Sequence, residues 1–180
     1  MSGLDAYILE LLYSSRSDGL AQVFTFITQF GSTVVIGSLA LALGIFFIVR
    51  KRLSYFAGLC VSVMGTIAVV FPLKELIARA RPDAMYRVYI ESGFSLPSGH
   101  AAFSLALYGF MAYIAWKNLP RWRVHILTVL GTLVVLVGFS RLYLGLHFAS
   151  DVLSGYLIAG IFLLLGILVA ERLNRHSLWF

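Results

Sequence analysis

Cysteine is almost missing from this chain: its 180 residues include one, Cys60, placed inside an apolar run, which excludes an internal disulfide framework. Charge is scarce as well. Only 12% of residues are Asp, Glu, Lys or Arg against 60% hydrophobic ones, and the mean hydropathy is +0.91. A soluble domain of this size needs more polar surface, so the chain reads as an integral membrane protein. The long apolar runs lack the polar–apolar alternation of barrel strands, which leaves helices as the spanning form. No internal repeat or low-complexity stretch interrupts them. Residues 1–18 have no basic start and carry Asp5, Glu10, Arg16 and Asp18, so no removable signal peptide is expected.

What remains is hydrophobic and helical in spacing. Five runs are long enough to approach the roughly 20 residues a span requires, at about 32–49, 53–73, 99–116, 124–140 and 150–170. The N-terminal 30 residues differ. Leu4, Tyr7, Ile8, Leu11 and Leu12 recur at helical spacing with Asp5 and Glu10 elsewhere on the wheel, and Leu20, Val23, Phe24, Ile27 and Phe30 form a second stripe. One or two amphipathic helices are expected there, in the membrane interface or packed on the bundle. A sixth span drawn from residues 5–30 is the alternative, disfavoured by its charges. The expected fold is therefore all-α: a polytopic transmembrane bundle of five to six spans forming a single membrane-embedded domain over 1–180. Within it, residues 1–31 are the amphipathic helices, 32–170 the transmembrane core and 171–180 a cytoplasmic tail.

The net charge of +6 and a pI near 9.7 invite a nucleic-acid reading, which the charge distribution opposes. Of 14 Lys and Arg, eight (Arg50, Lys51, Arg52, Lys117, Arg121, Arg123, Arg172 and Arg175) fall in alternate connections and the tail. Positive-inside bias explains them and places those connections in the cytoplasm. Connections 80–98 and 141–149 then lie on the opposite side.

Three strings gather on that opposite side: Lys74 with Arg81-Pro82, then Pro97-Ser98-Gly99-His100, then Ser140-Arg141 with His147 and Asp151. Lys74 and Arg81 are about two helical turns apart, so they are expected on one helix face, with Pro82 ending the helix. An unpaired ammonium within an apolar stretch is costly, so Lys74 is expected to face a polar cavity. Arg79 reads as a basic side chain snorkelling at a span end. Ser98 is a natural N-cap, and the helix it opens offers unpaired N–H groups to an anion. His147 and Asp151 share a face if their helix begins early enough. A carboxylate on one imidazole nitrogen then leaves the other as a nucleophile. Two histidines divide into a nucleophile and a general acid. Three cations around one anion match phosphate, and would repel a divalent metal ion that the few carboxylates could not hold. Apolar walls suggest that a lipid carries the phosphate.

At these residues the chain resembles the type-2 phosphatidic acid phosphatase superfamily, whose pattern is K-x6-RP, PSGH and SR-x5-H-x3-D. Every specified position is present, in order and spacing, from Lys74 to Asp151. One small departure is Ala149, where many relatives have Pro. The resemblance implies a metal-independent, cofactor-free lipid phosphatase in which His147 forms a phosphohistidine and Asp151 orients it. It implies that His100 protonates the leaving oxygen and later activates water, while Lys74, Arg81, Ser98, Gly99 and Arg141 hold the phosphate. The expected substrates are phosphatidylglycerophosphate, phosphatidic acid, undecaprenyl diphosphate or lipid A phosphate. The expected setting is a bacterial inner membrane, with the site facing the periplasm and no nucleic-acid partner. A phosphotransferase using the same intermediate, and a phospholipid-binding or transport protein, are the alternatives.

Overall fold

The computed structural model describes residues 3–176, and every regular element among them is helical. Two short helices, α1 (Gly3–Ser14) and α2 (Asp18–Thr28), precede α3 (Thr33–Val49), α4 (Leu53–Ile77), α5 (Gly99–Asn118), α6 (Arg123–Tyr143) and α7 (Ala149–His176). Helix starts follow local chemistry: Ser17 Oγ accepts from Leu20 N–H, and Ser32 Oγ from Val35 N–H. The expected tail begins inside α7, and its last four residues, 177–180, lie outside the described part.

By length and composition four segments can cross a membrane: Asp18–Val49, Leu53–Ile77, Arg123–Tyr143 and Ala149–Arg175. The expected third span is α5, which falls outside this set because it is the helix the others enclose. Its buried face mixes small or polar residues (Ala101, Ala102, Ser104, Ala106, Ala112, Ala115) with Phe103, Leu107, Tyr108 and Phe110, and it packs on α3, α4, α6 and α7. Other large apolar side chains point outward, among them Leu41, Met64, Val135, Leu157 and Leu168. Large apolar side chains thus fill the bundle interior (Ile36, Phe47, Leu59, Leu107, Phe110) and also cover its outer surface, while small residues bring helices together where backbones meet closely.

The amphipathic stripes of α1 and α2 are correspondingly turned around. Both helices pack on α6, with α1 also touching α7. Leu4, Tyr7 and Leu11 face outward, and α1 buries Asp5 and Leu9. Asp5, expected on a polar outer face, lies inward because basic and amide donors await it there, as described below.

The antiparallel contact of α4 with α7 is the most extensive in the bundle. A Cβ on Gly58 would lie 2.6 Å from the Gly166 carbonyl oxygen, and one on Gly166 2.5 Å from the Gly58 oxygen. The two backbones therefore touch, which fixes the depth at which the outer ends of these helices meet. Gly166→Ala is expected to force the helices apart at a cost of roughly 1–3 kcal/mol, read as a lower melting temperature in detergent. An unchanged melt would contradict this contact.

Candidate active site

The candidate site is assembled at one end of the bundle, where α4 and α6 end and α5 and α7 begin, and is covered by the 79–98 connection. Helix α4 ends earlier than its sequence suggested. Ala78 takes a left-handed conformation (φ 48°, ψ 37°) with its N–H closing on the Lys74 carbonyl, so residues 79–82 leave the helix before Pro82 is reached. Lys74 and Arg81 therefore do not share a helix face; the chain turns and brings Arg81 back from outside. Lys74 Nζ donates to Phe94 O at 2.8 Å.

Arg81 and Arg141 converge on a single carboxylate. Arg81 Nη2 donates to Glu91 Oε1 at 3.0 Å and Arg141 Nη2 to Glu91 Oε2. Arg141 is fully buried, and its Nη1 donates to Thr28 Oγ1 at 2.9 Å and Tyr89 OH at 3.0 Å. Burial opposes ionisation of Glu91, but Arg141 and Arg81 outweigh it and hold the carboxyl down to about 2. Ser98 occupies the N-cap position of α5, yet its Oγ makes no capping bond; Ser98 Oγ and Arg141 Nε are buried without a partner. Ser98 N–H instead donates to Asp151 O at 2.9 Å, tying the start of α5 to α7. Gly155, where a Cβ would meet Ser98 O at 2.6 Å, permits that approach. Gly99 begins α5, and His100 follows within electrostatic reach of Arg141, Glu91, His147 and Arg81.

His147 precedes α7 rather than standing on it, and only 2% of it is exposed. Its pairing with Asp151 comes from the turn: Asp151 Oδ2 accepts Phe148 N–H at 2.8 Å and lies 3.4 Å from His147 Nδ1. Ser95 Oγ donates to the same Oδ2. Arg81 Nη1 stands 3.1 Å from His147 Nε2. Arginine has no acceptor, so Nε2 must accept, and the neutral ring carries its proton on Nδ1, toward Asp151. Burial, then Arg141 and Arg81, lower the His147 pKa to about 4 against the opposing pull of Asp151, so the ring is neutral at pH 7.

All eight residues singled out in the sequence are thus brought to one end of the bundle. Two more were not singled out. Arg79 does not snorkel: its Nη1 donates to Asp151 Oδ1 at 2.7 Å and its Nη2 to Asp5 Oδ2 at 2.8 Å. Glu91, read only as part of a loop over the pocket mouth, sits between the two arginines. Neither role has a local signature: Arg81 is marked by the Pro82 that follows it, whereas nothing beside Arg79 marks its partners. A lone acid in a polar loop is ordinarily solvated.

Residues 55–175 match the PAP2 superfamily, and the chain belongs to it. It is 38% identical over 146 residues to phosphatidylglycerophosphatase B of Bacillus subtilis, covering 78% of this chain and 70% of that protein. The crystal structure of a transmembrane PAP2-type phosphatidylglycerolphosphate phosphatase from Bacillus subtilis superposes with a TM-score of 0.83 at 32% identity, over 93% of this chain and 85% of that one. Lipid A 1-phosphatase of Rhizobium etli is 36% identical over 107 residues, covering 56% of this chain and 44% of that protein. The match thus spans under half the length of that lipid A phosphatase.

The ionisation of His147 is open to direct measurement. In protein carrying 15N-labelled histidine, its Nε2 is expected at the frequency of an unprotonated acceptor and Nδ1 at that of an N–H. His147→Asn identifies the pair, and the ring is expected to protonate only as the pH falls toward about 4. A cationic ring at pH 6 would overturn the assignment.

Proposed function

We propose that this protein hydrolyses a lipid phosphate monoester or diphosphate through a phosphohistidine, without a metal ion. One observation carries the reading: Arg81 and Arg141 converge on an anion beside the acceptor nitrogen of His147, with Ser98 Oγ and Arg141 Nε left unpaired around it. Phosphate oxygens can replace Glu91 on both guanidiniums and take up those spare donors together with the first N–H groups of α5. As Arg81 Nη1 turns from Nε2 to the phosphate, the nitrogen lone pair becomes free. Nε2 then attacks phosphorus in line, the bond to the lipid oxygen breaks, and His100 gives that oxygen its proton. Asp151 stabilises the cationic ring through Nδ1–H. Water, deprotonated by His100, attacks the phosphohistidine, and inorganic phosphate leaves with the P–N bond broken. Lys74, Arg81 and Arg141 meet the charge of the transferring group.

An apolar groove of about 420 Å³ between α3 and α4 supports a lipid substrate. Ile36, Leu59, Val63, Ile67 and Phe103 help line it, and Phe103 stands one turn from His100 on α5. By analogy with the Bacillus relative, phosphatidylglycerophosphate is the first substrate to test, ahead of phosphatidic acid, undecaprenyl diphosphate and lipid A phosphate. Hydrolysis, rather than transfer to a second lipid, is the reading we adopt.

Detergent-purified protein is expected to release phosphate from phosphatidylglycerophosphate after exhaustive EDTA treatment; loss restored by magnesium or zinc would sink the mechanism. His147→Ala is expected to fall below about one-thousandth of the wild-type rate on every substrate. His100→Ala is expected to lose about 100-fold or more on the lipid and to recover much of that on an activated aryl phosphate, whose leaving group needs no acid. Equal loss on both substrates would remove His100 from the acid's role.

We also infer an inner-membrane setting in which the site faces the periplasm, because the opposite connections carry Arg50, Lys51, Arg52, Lys117, Arg121 and Arg123. With Cys60 replaced, Ile90→Cys is expected to react with an impermeant thiol reagent on intact spheroplasts and Arg121→Cys only after lysis. The reverse labelling would invert the topology.

A further inference from the structure

The Asp151 carboxylate is entirely buried, and its two oxygens are used differently. Oδ2 accepts from Phe148 N–H and Ser95 Oγ and faces His147 Nδ1, whereas Oδ1 accepts from Arg79 Nη1 at 2.7 Å. A carboxylate is planar and rigid, so fixing one oxygen aims the other. A buried carboxylate without a counter-charge is also strongly disfavoured. Arg79 answers both needs and is itself held on several sides. Its Nη1 also donates to Ser150 Oγ at 2.7 Å, its Nη2 donates to Asp5 Oδ2 at 2.8 Å, and its guanidinium lies 4.4 Å from the centre of the Phe148 ring.

Asp5 grips the same corner. Its Oδ1 accepts Ser150 N–H at 3.0 Å and its Oδ2 accepts Ser150 Oγ–H at 2.7 Å. Ser150 lies in the first turn of α7, where backbone N–H groups have no partner within the helix. A carboxylate from α1 therefore caps the helix that carries Asp151 and clamps the arginine that orients it. Arg81 and Arg141 present their Nη2 groups to an exchangeable carboxylate at the phosphate site. Arg79 has both Nη nitrogens on fixed protein acceptors.

We infer that Asp5 and Arg79 are positioning residues for the reaction, through an Asp5–Arg79–Asp151 chain that aims the carboxylate at His147 and makes the N-terminal helix part of the catalytic apparatus. This rests on the phosphohistidine reading above. Because Arg79 does not turn toward the phosphate, the effect belongs in turnover and not in substrate affinity.

Asp5→Asn, Arg79→Lys, Arg79→Gln and the Asp5→Asn/Arg79→Gln double variant test it in the full chain with phosphatidylglycerophosphate in mixed micelles. Substitution of such supporting groups typically costs about 10- to 100-fold. Asp5→Asn is expected near the lower figure in kcat and Arg79→Gln near the higher, with KM within about threefold of wild type. Arg79→Lys, which keeps the charge, is expected to retain more activity than Arg79→Gln. The double variant is expected to be no slower than Arg79→Gln, because Asp5 acts through Arg79. Wild-type kcat in Asp5→Asn and Arg79→Lys, or losses confined to KM, would overturn the inference; these milder variants decide it if Arg79→Gln does not fold. The 15N signal of His147 Nδ1–H supplies a readout independent of turnover, expected to shift and to exchange faster with solvent in Asp5→Asn. If the wild-type protein hydrolysed no lipid phosphate, the functional reading would fail alone, and an unmoved His147 signal would then refute this inference separately.

Discussion

A guanidinium buried in a membrane bundle sets the terms for the outer end of this molecule. Arg141 has no exposed surface, and in a low-dielectric interior an unmatched charge is disfavoured more than any packing gain nearby could offset. Its Nη1 and Nη2 are met by Thr28 from α2 and by Tyr89 and Glu91 from the 79–98 connection, while its Nε is left without a partner. Those acceptors explain why α2 lies along α6 and why the connection folds down over the helix ends instead of extending into water. The 91–94 stretch also supplies acceptors to Arg81 and Lys74. Three cations, each obliged to find oxygen, shape one loop.

The same obligation separates the dense polar network at this end of the bundle from the close helix packing beneath it. Between α4 and α7 small residues let backbones meet, because in lipid the close contact of helices cannot draw on the hydrophobic effect between them. At the end of the bundle that carries the site, Lys74 on α4 and Asp151 on α7 are paired instead with oxygen and guanidinium groups of the 79–98 connection, among them Phe94 O and Arg79. The left-handed turn at Ala78 makes the pairing with Arg79 possible. A helix continued to Pro82 would have carried Arg79 and Arg81 onward along the α4 axis instead of bringing them back to the start of α7.

Much of the site could be read from the sequence, for a physical reason. Lys74, Arg81, His100, Arg141, His147 and Asp151 are residue types that are costly near a bilayer unless used, at the ends of apolar runs that locate them in depth, and Ser98 and Gly99 adjoin His100 at the start of one such run. Residues whose meaning depends on distant partners could not be read. Arg79 stands at an unspecified position of the K-x6-RP string, and nothing beside it shows that it meets Asp5 across 74 positions while Arg81 meets Glu91 across 10. Asp5 looked like part of a solvated face because helical periodicity describes an isolated helix. The wheel is right about spacing and silent about which side meets protein, which in a membrane can be the less apolar side.

Glu91 brings stability and function into one balance. With its carboxylate on Arg81 and Arg141, Glu91 pairs the two guanidiniums within the fold itself. A phosphate monoester, carrying up to twice the charge and three terminal oxygens, can displace it by reaching donors that one carboxylate leaves unused, Ser98 Oγ and Arg141 Nε among them. The affinity gained is then only the difference between two anions on the same guanidiniums, which tempers binding of substrate and of product phosphate alike. On the proposed reading, a carboxylate held by the same guanidiniums competes with product phosphate as well as with substrate, and Glu91, partly exposed on the 79–98 connection, is placed to do so.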